Sequence, residues 1–125
     1  MSGGIVMKEL VMIIRPEKLE DIKKILDDVN CGGMTLYTAM GCGTQKGVTT
    51  DDANAVNEIK GFKTTINLLP KVKVEVVVED KEVEHIIECV RETCATDHVG
   101  DGKIFIRDIE DVVRIRTGER GTKAL

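Results

Sequence analysis

Aromatic residues are nearly missing from this chain: two Phe, one Tyr and no Trp among 125 residues. The core must therefore be aliphatic, and aromatic base-stacking platforms and aromatic cages for cationic ligands are excluded. Serine is scarcer still. Ser2 stands alone, so no Ser/His/Asp set can be assembled, and no carboxylate pair is placed by a motif; the chain reads as a binder, not an enzyme. No apolar run approaches the roughly 20 residues that cross a bilayer. The opening Met1–Lys8 lacks a basic segment followed by an apolar one, so no signal peptide and a cytoplasmic, reducing location are expected. Positive charge is also short, with 18 Lys and Arg against 22 Asp and Glu and a net charge of −4, which argues against nucleic acid as a partner. The four cysteines, Cys31, Cys42, Cys89 and Cys94, show no C-x-x-C spacing and read as buried or half-buried thiols. His85 and His98 stand thirteen positions apart and read as surface or structural residues.

What is present fits one domain of 13.8 kDa. Lys8–Arg15 is a nearly continuous apolar run, as in a central strand, closed by Pro16. Leu19, Ile22, Ile25, Leu26 and Val29 recur at helical spacing and predict a helix over 16–29, with a stop at Asn30-Cys31-Gly32-Gly33. Met34–Cys42 reads as a second strand. Gly43–Asn67 has no persistent period and reads as a long loop. Lys71–Glu79, just after Pro70, is the clearest strand, with Val72, Val74, Val76 and Val78 at period two. Val83, Ile86, Ile87, Val90 and Cys94 stripe a second helix that begins at Asp80. Lys103–Arg107 is a short strand, Val112–Arg116 another extended piece, and Thr117–Thr122 a loose tail. The order β-α-β, long loop, β-α-β is the ferredoxin-like pattern of the α+β class: a four-stranded antiparallel sheet with two helices on one face. The other face would want a partner subunit.

Two glycine clusters and four basic residues stand out. Gly41-Cys42-Gly43-Thr44-Gln45-Lys46-Gly47 opens the long loop, and Gly100-Asp101-Gly102-Lys103 opens the last strand. Such turns aim successive backbone N–H groups at an anion, or simply supply a positive φ. Arg114 and Arg116, two apart in an extended stretch, would point the same way, toward an anion or toward surface acids. Lys71 is either a solvated strand-start lysine or, with Lys103, Arg114 and Arg116, part of a site for a polyphosphate or di-acid.

Thr96–Ile106 and the following Arg114-Ile115-Arg116-Thr117-Gly118-Glu119 resemble two C-terminal signatures of the PII nitrogen-regulatory family. Ile13–Leu19, Gln45-Lys46-Gly47 and Leu69–Lys73 are similar to its other landmarks. The resemblance covers residues 7–121, leaving 1–6 as an extension, 43–69 as the loop called the T-loop in that family and 117–125 as the tail. It implies a homotrimer that binds ATP or ADP between subunits and 2-oxoglutarate beside ATP through magnesium. The T-loop would then act on an ammonium transporter, glutamine synthetase or nitrogenase; a transporter partner would be the one route to a membrane. Carried over by position, Thr35, Gly43, Thr44, Gln45, Val77, Gly100, Asp101, Gly102, Lys103, Arg114 and Arg116 would hold the nucleotide. Gln45, Lys46, Gly47, Lys71 and Gly100 would hold 2-oxoglutarate, with Gln45 as the magnesium ligand. Arginine forks suit phosphate and a point-charge lysine suits a carboxylate.

The chain departs from the family pattern in its loop, which is longer than usual and has neither Tyr nor Ser. Tyr37, the single tyrosine, falls in the second strand, so covalent control through a loop tyrosine or serine is closed. A tyrosine-free loop is similar to members associated with nitrogenase in archaea and anaerobic bacteria. Thr44 stands where the family often has a larger residue. The rival reading is a ferredoxin-like regulatory or structural module without a 2-oxoglutarate response.

Overall fold

The computed structural model describes residues 6–29, 31–44, 56–59 and 62–125. The elements run β1 (Met7–Ile14), α1 (Leu19–Asp27), β2 (Cys31–Thr44), β3 (Val56–Ile59), β4 (Phe62–Glu79), α2 (Val83–Cys94) and β5 (Lys103–Ile109). The sheet order is β2-β4-β1-β5, every pairing antiparallel, with β3 folded back on the first half of β4. This is the expected ferredoxin-like arrangement, and Pro16 opens a 3-10 turn, Pro16–Lys18, that leads into α1.

Period two decides which face is covered. Leu10, Met12 and Ile14 of β1 are in register with Val76, Val74 and Val72 of β4, so all point to one side. There they meet Ile22 and Leu26 of α1 and Val83, Ile86, Val90 and Cys94 of α2 in one aliphatic core. Both helices thus lie on one face, as their apolar stripes require. The opposite face carries Val11, Ile13, Val77 and a half-exposed Phe105. Among them a polar band crosses the sheet: Tyr37 donates to Glu75, Lys73 pairs with Glu75, and Arg107 pairs with Glu9.

Three expectations are corrected. The apolar-poor stretch after Gly43 is not all loop: β2 runs on to Thr44, β3 spans Val56–Ile59 and β4 begins at Phe62. Pro70 lies inside β4 instead of preceding it. The pairing with β1 has already ended at Ile14–Val72, so at Pro70 the strand has β2 as neighbour on one side and, among the described residues, no strand on the other. Last, 112–116 is not a regular strand. It makes a single bridge, Val113 to Arg120, around a turn at 115–117, and the chain closes in a 3-10 turn, Gly121–Ala124. That tail is tied, not loose. Asp111 accepts hydrogen bonds from the Val112 N–H, the Gly121 N–H and the Arg120 guanidinium at 2.8–3.1 Å, which lowers the pKa of its carboxyl.

Candidate functional site

The turn between α2 and β5 is where charge collects. It begins with Thr96, whose N–H donates to Asp101 Oδ2 at 2.6 Å and whose hydroxyl donates to Asp101 Oδ1. Asp97 and Gly100 both take positive φ, 63° and 100°, which folds the chain back on itself. The Arg15 guanidinium, leaving the end of β1, donates to the Val99 carbonyl at 3.1 Å and lies 3.4 Å from Asp101 Oδ1. Thr96 first, and Arg15 after it, hold the Asp101 carboxyl down to about 2, so it is ionised at every physiological pH.

Lys71 approaches the same turn from β4. It is only 8% exposed, and its ammonium donates to the Gly100 carbonyl. Its stem crosses Gly41 of β2, where an added Cβ would lie 3.1 Å from Lys71 Cγ. An added Cβ on Gly100 would lie 3.3 Å from an Arg15 nitrogen and 3.6 Å from Lys71 Nζ. Two cations and one carboxylate therefore meet here, a local charge of +1 in an acidic protein. Asp101 faces Arg15, and among the described residues Lys71 has no carboxylate partner. Among the described residues this nearly buried ammonium has only a carbonyl as partner, and a carboxylate there would balance its charge. Arg15 Nε is also buried and has no hydrogen-bond partner among the described residues.

Gly102 completes the cradle. Its φ is 110°, and an added Cβ would sit 1.8 Å from the Ile13 carbonyl oxygen, so only glycine lets the turn lie on β1. Lys103 follows, exposed and without a carboxylate partner among the described residues. A groove of about 420 Å³ between α2 and the β5 edge is lined by Ile87, Val90, Ile104 and Ile106 together with Asp101, Gly102 and Lys103.

The remaining residues singled out in the sequence fall elsewhere. Thr35 and Val77 line a second cavity of about 200 Å³ with Glu75 of β4 and Ala124 and Leu125 of the tail. Arg114 stands by that tail: it meets Glu119 Oε1 at 2.8 Å, the Lys123 oxygen at 3.3 Å and the main-chain oxygen of Leu125 at 3.1 Å. Arg116 is exposed and falls within the turn at 115–117, so the extended stretch expected to carry Arg114 and Arg116 is not formed there. Six residue steps along β4, about 20 Å of strand, separate Lys71 from Val77. Gly43 and Thr44 end β2, paired with Asn67 and Ile66. Gln45, Lys46 and Gly47 lie outside the described residues, and the magnesium site expected at Gln45 with them. Two contributors were not singled out from the sequence as site residues, Arg15 and Thr96. A lone charge closing an apolar strand, and a hydroxyl five residues before a turn aspartate, are the signals they left.

Comparison with known proteins follows the same lines. The family model described as "Nitrogen regulatory protein P-II" matches residues 7–119. "Nitrogen regulatory protein P-II 2" of Methanothermobacter thermautotrophicus is 46% identical over 121 residues, 97% of this chain and 99% of that protein. "Nitrogen regulatory protein P-II" of Azospirillum brasilense is 44% identical over 119 residues, 95% of this chain and all of that one. Among solved structures, B. subtilis GlnK in complex with ATP superposes with a TM-score of 0.76 at 29% identity, covering 99% of this chain and 100% of that one.

Proposed function

The chain belongs to the nitrogen regulatory protein P-II family, and from that premise we propose that it is a homotrimeric sensor of ATP, ADP and 2-oxoglutarate. The observation that carries this reading is the uncompensated Lys71 ammonium beside the glycine turn at 100–102. In this reading Lys71 binds a carboxylate of 2-oxoglutarate, and the turn with Lys103 receives the phosphates of the nucleotide. A solved relative, B. subtilis GlnK, binds ATP. The residues fit such ligands: backbone without side chains at Gly100 and Gly102, and cations on either side. Magnesium, held by the phosphates and by Gln45, would bring the di-acid against the nucleotide.

Thr35, Val77 and Arg114 lie some strand length from Lys71, so engaging both sets takes an extended ligand or pieces from two copies. That supports clefts between subunits, with Arg114 and Arg116 reaching in at the boundary. The uncovered sheet face, apolar at half-buried Val77 and half-exposed Phe105, would be buried around the trimer axis. Signalling then needs only that the ligands favour different shapes of the 43–69 loop. The target touched by that loop is an ammonium transporter or an enzyme of nitrogen assimilation or fixation, met in the cytoplasm.

Isothermal titration with ATP, with and without 2-oxoglutarate and magnesium, tests the reading. ATP binding that 2-oxoglutarate tightens supports it. Absence of ATP binding at millimolar nucleotide overturns it. A stable oligomer indifferent to nucleotide would mark the chain as a structural module instead.

A further inference from the structure

On α2, away from the charged turn, His85 and Cys89 are four residues apart and so share one face of the helix. The Cys89 sulfur lies 3.7 Å from His85 Nε2. Tetrahedral zinc holds sulfur at about 2.3 Å and imidazole nitrogen at about 2.0 Å, which places the two donors about 3.5 Å apart. The pair therefore already stands at the span of a chelate. His85 is exposed and Cys89 half-buried, so an ion between them is open to water, and the helix backbone holds both donors without a loop to order.

We propose that His85 and Cys89 form a surface chelate for a borderline-soft divalent ion of the zinc and cobalt type. One imidazole and one thiolate select such ions over magnesium and calcium, which prefer oxygen. The charge of the helix agrees with a cation: Glu84, Glu88 and Glu92 stand exposed on α2 against Arg91 alone. Among the described residues no third His, Cys, Asp or Glu completes a cluster, so water fills the remaining positions and the ion exchanges readily. The site is independent of the nucleotide reading.

The test is a Co²⁺ titration of the full-length, nucleotide-free protein, read by the thiolate-to-cobalt charge-transfer band. A band that Zn²⁺ abolishes is expected. It should vanish in Cys89→Ser and persist in Cys42→Ser, whose thiol is exposed where a buried or half-buried one was expected. His85→Ala should raise the half-saturating Co²⁺ by about tenfold or more, as a two-donor chelate becomes a single donor. His85 is exposed, so that variant leaves the core intact. No band in the native protein, a band that survives Cys89→Ser, or a His85→Ala titration equal to the native one would each overturn the proposal and leave a plain sulfur–imidazole hydrogen bond.

Discussion

Replacing Gly102 by alanine tests whether the charged turn is held in place by close approach to β1. Two terms add. The backbone at φ 110° is a region that L residues rarely adopt, with strain of about 1–3 kcal/mol. The new Cβ would also lie 1.8 Å from the Ile13 oxygen and 2.9 Å from its carbonyl carbon. Ile13 cannot step aside, because it is paired with Lys73 of β4 on one side and Lys103 of β5 on the other. The turn must move instead, and a forced shift of packed backbone costs about 1–3 kcal/mol more. The total, about 2–6 kcal/mol, is a large share of the 5–15 kcal/mol that stabilises a typical domain. Gly33→Ala is the control: its φ is 93°, but nothing lies within 4 Å of the added Cβ, so only the torsional term applies. Urea unfolding of both variants at one protein concentration, since an oligomer's midpoint depends on it, reads the difference. Gly102→Ala destabilising no more than Gly33→Ala would refute the close-approach argument.

Lys71→Met keeps the stem against Gly41 and removes the charge; ATP binding should survive while the effect of 2-oxoglutarate on it disappears, and equal loss of both by calorimetry would reject the division of roles. The Asp101 carboxyl, held to about 2 against an ordinary 3.8, adds stability that is present above pH 4 and lost as pH falls through 2. The native protein should therefore lose more denaturant resistance than Asp101→Asn between pH 4 and 2; parallel slopes would show the network to be inert. Arg114→Ala should both weaken ATP binding and speed proteolysis of the 117–125 tail, because Glu119, Lys123 and Leu125 all converge on that guanidinium. A tail cleaved at the native rate would mean that Asp111 and Arg120 hold it unaided.

The fold was legible wherever a period persisted. Val72, Val74, Val76 and Val78 announced β4, and the stripe from Val83 to Cys94 announced α2, because burial on one face leaves a mark at every second or every third to fourth residue. It was not legible where pairing occurs outside the core. The first half of β4, from Phe62 to Leu69, pairs with β2 and β3 and lies beyond the end of β1 and its aliphatic core, and the sequence there shows no alternation. Pro70 misled for a related reason: a residue that cannot donate reads as a boundary, yet it is tolerated where one neighbouring strand is absent. In the site, Gly100-Asp101-Gly102-Lys103 and Lys71 were visible as types of residue. That Lys71 would be buried and Arg15 drawn onto the same turn depends on β4 and β1 being adjacent, which local sequence does not state.

The scarcity of side chains at this turn is what would let an acidic protein hold the anions proposed for it. A chain with net charge −4 repels a di-acid or a polyphosphate at long range, so attraction has to be generated within a few ångströms. Short range requires cations held close to bare backbone. Gly41 admits the Lys71 stem, Gly100 leaves room for the heads of Lys71 and Arg15, and Gly102 lets the turn settle on β1. Asp101 then neutralises Arg15, leaving Lys71 as the buried positive charge of the cluster. Filling any of the three glycine positions would push a cation away from the turn or the turn away from the sheet. Removing Asp101 would leave two adjacent cations to repel each other across Gly100. The local charge of +1 is thus set by geometry that the composition of the whole chain conceals.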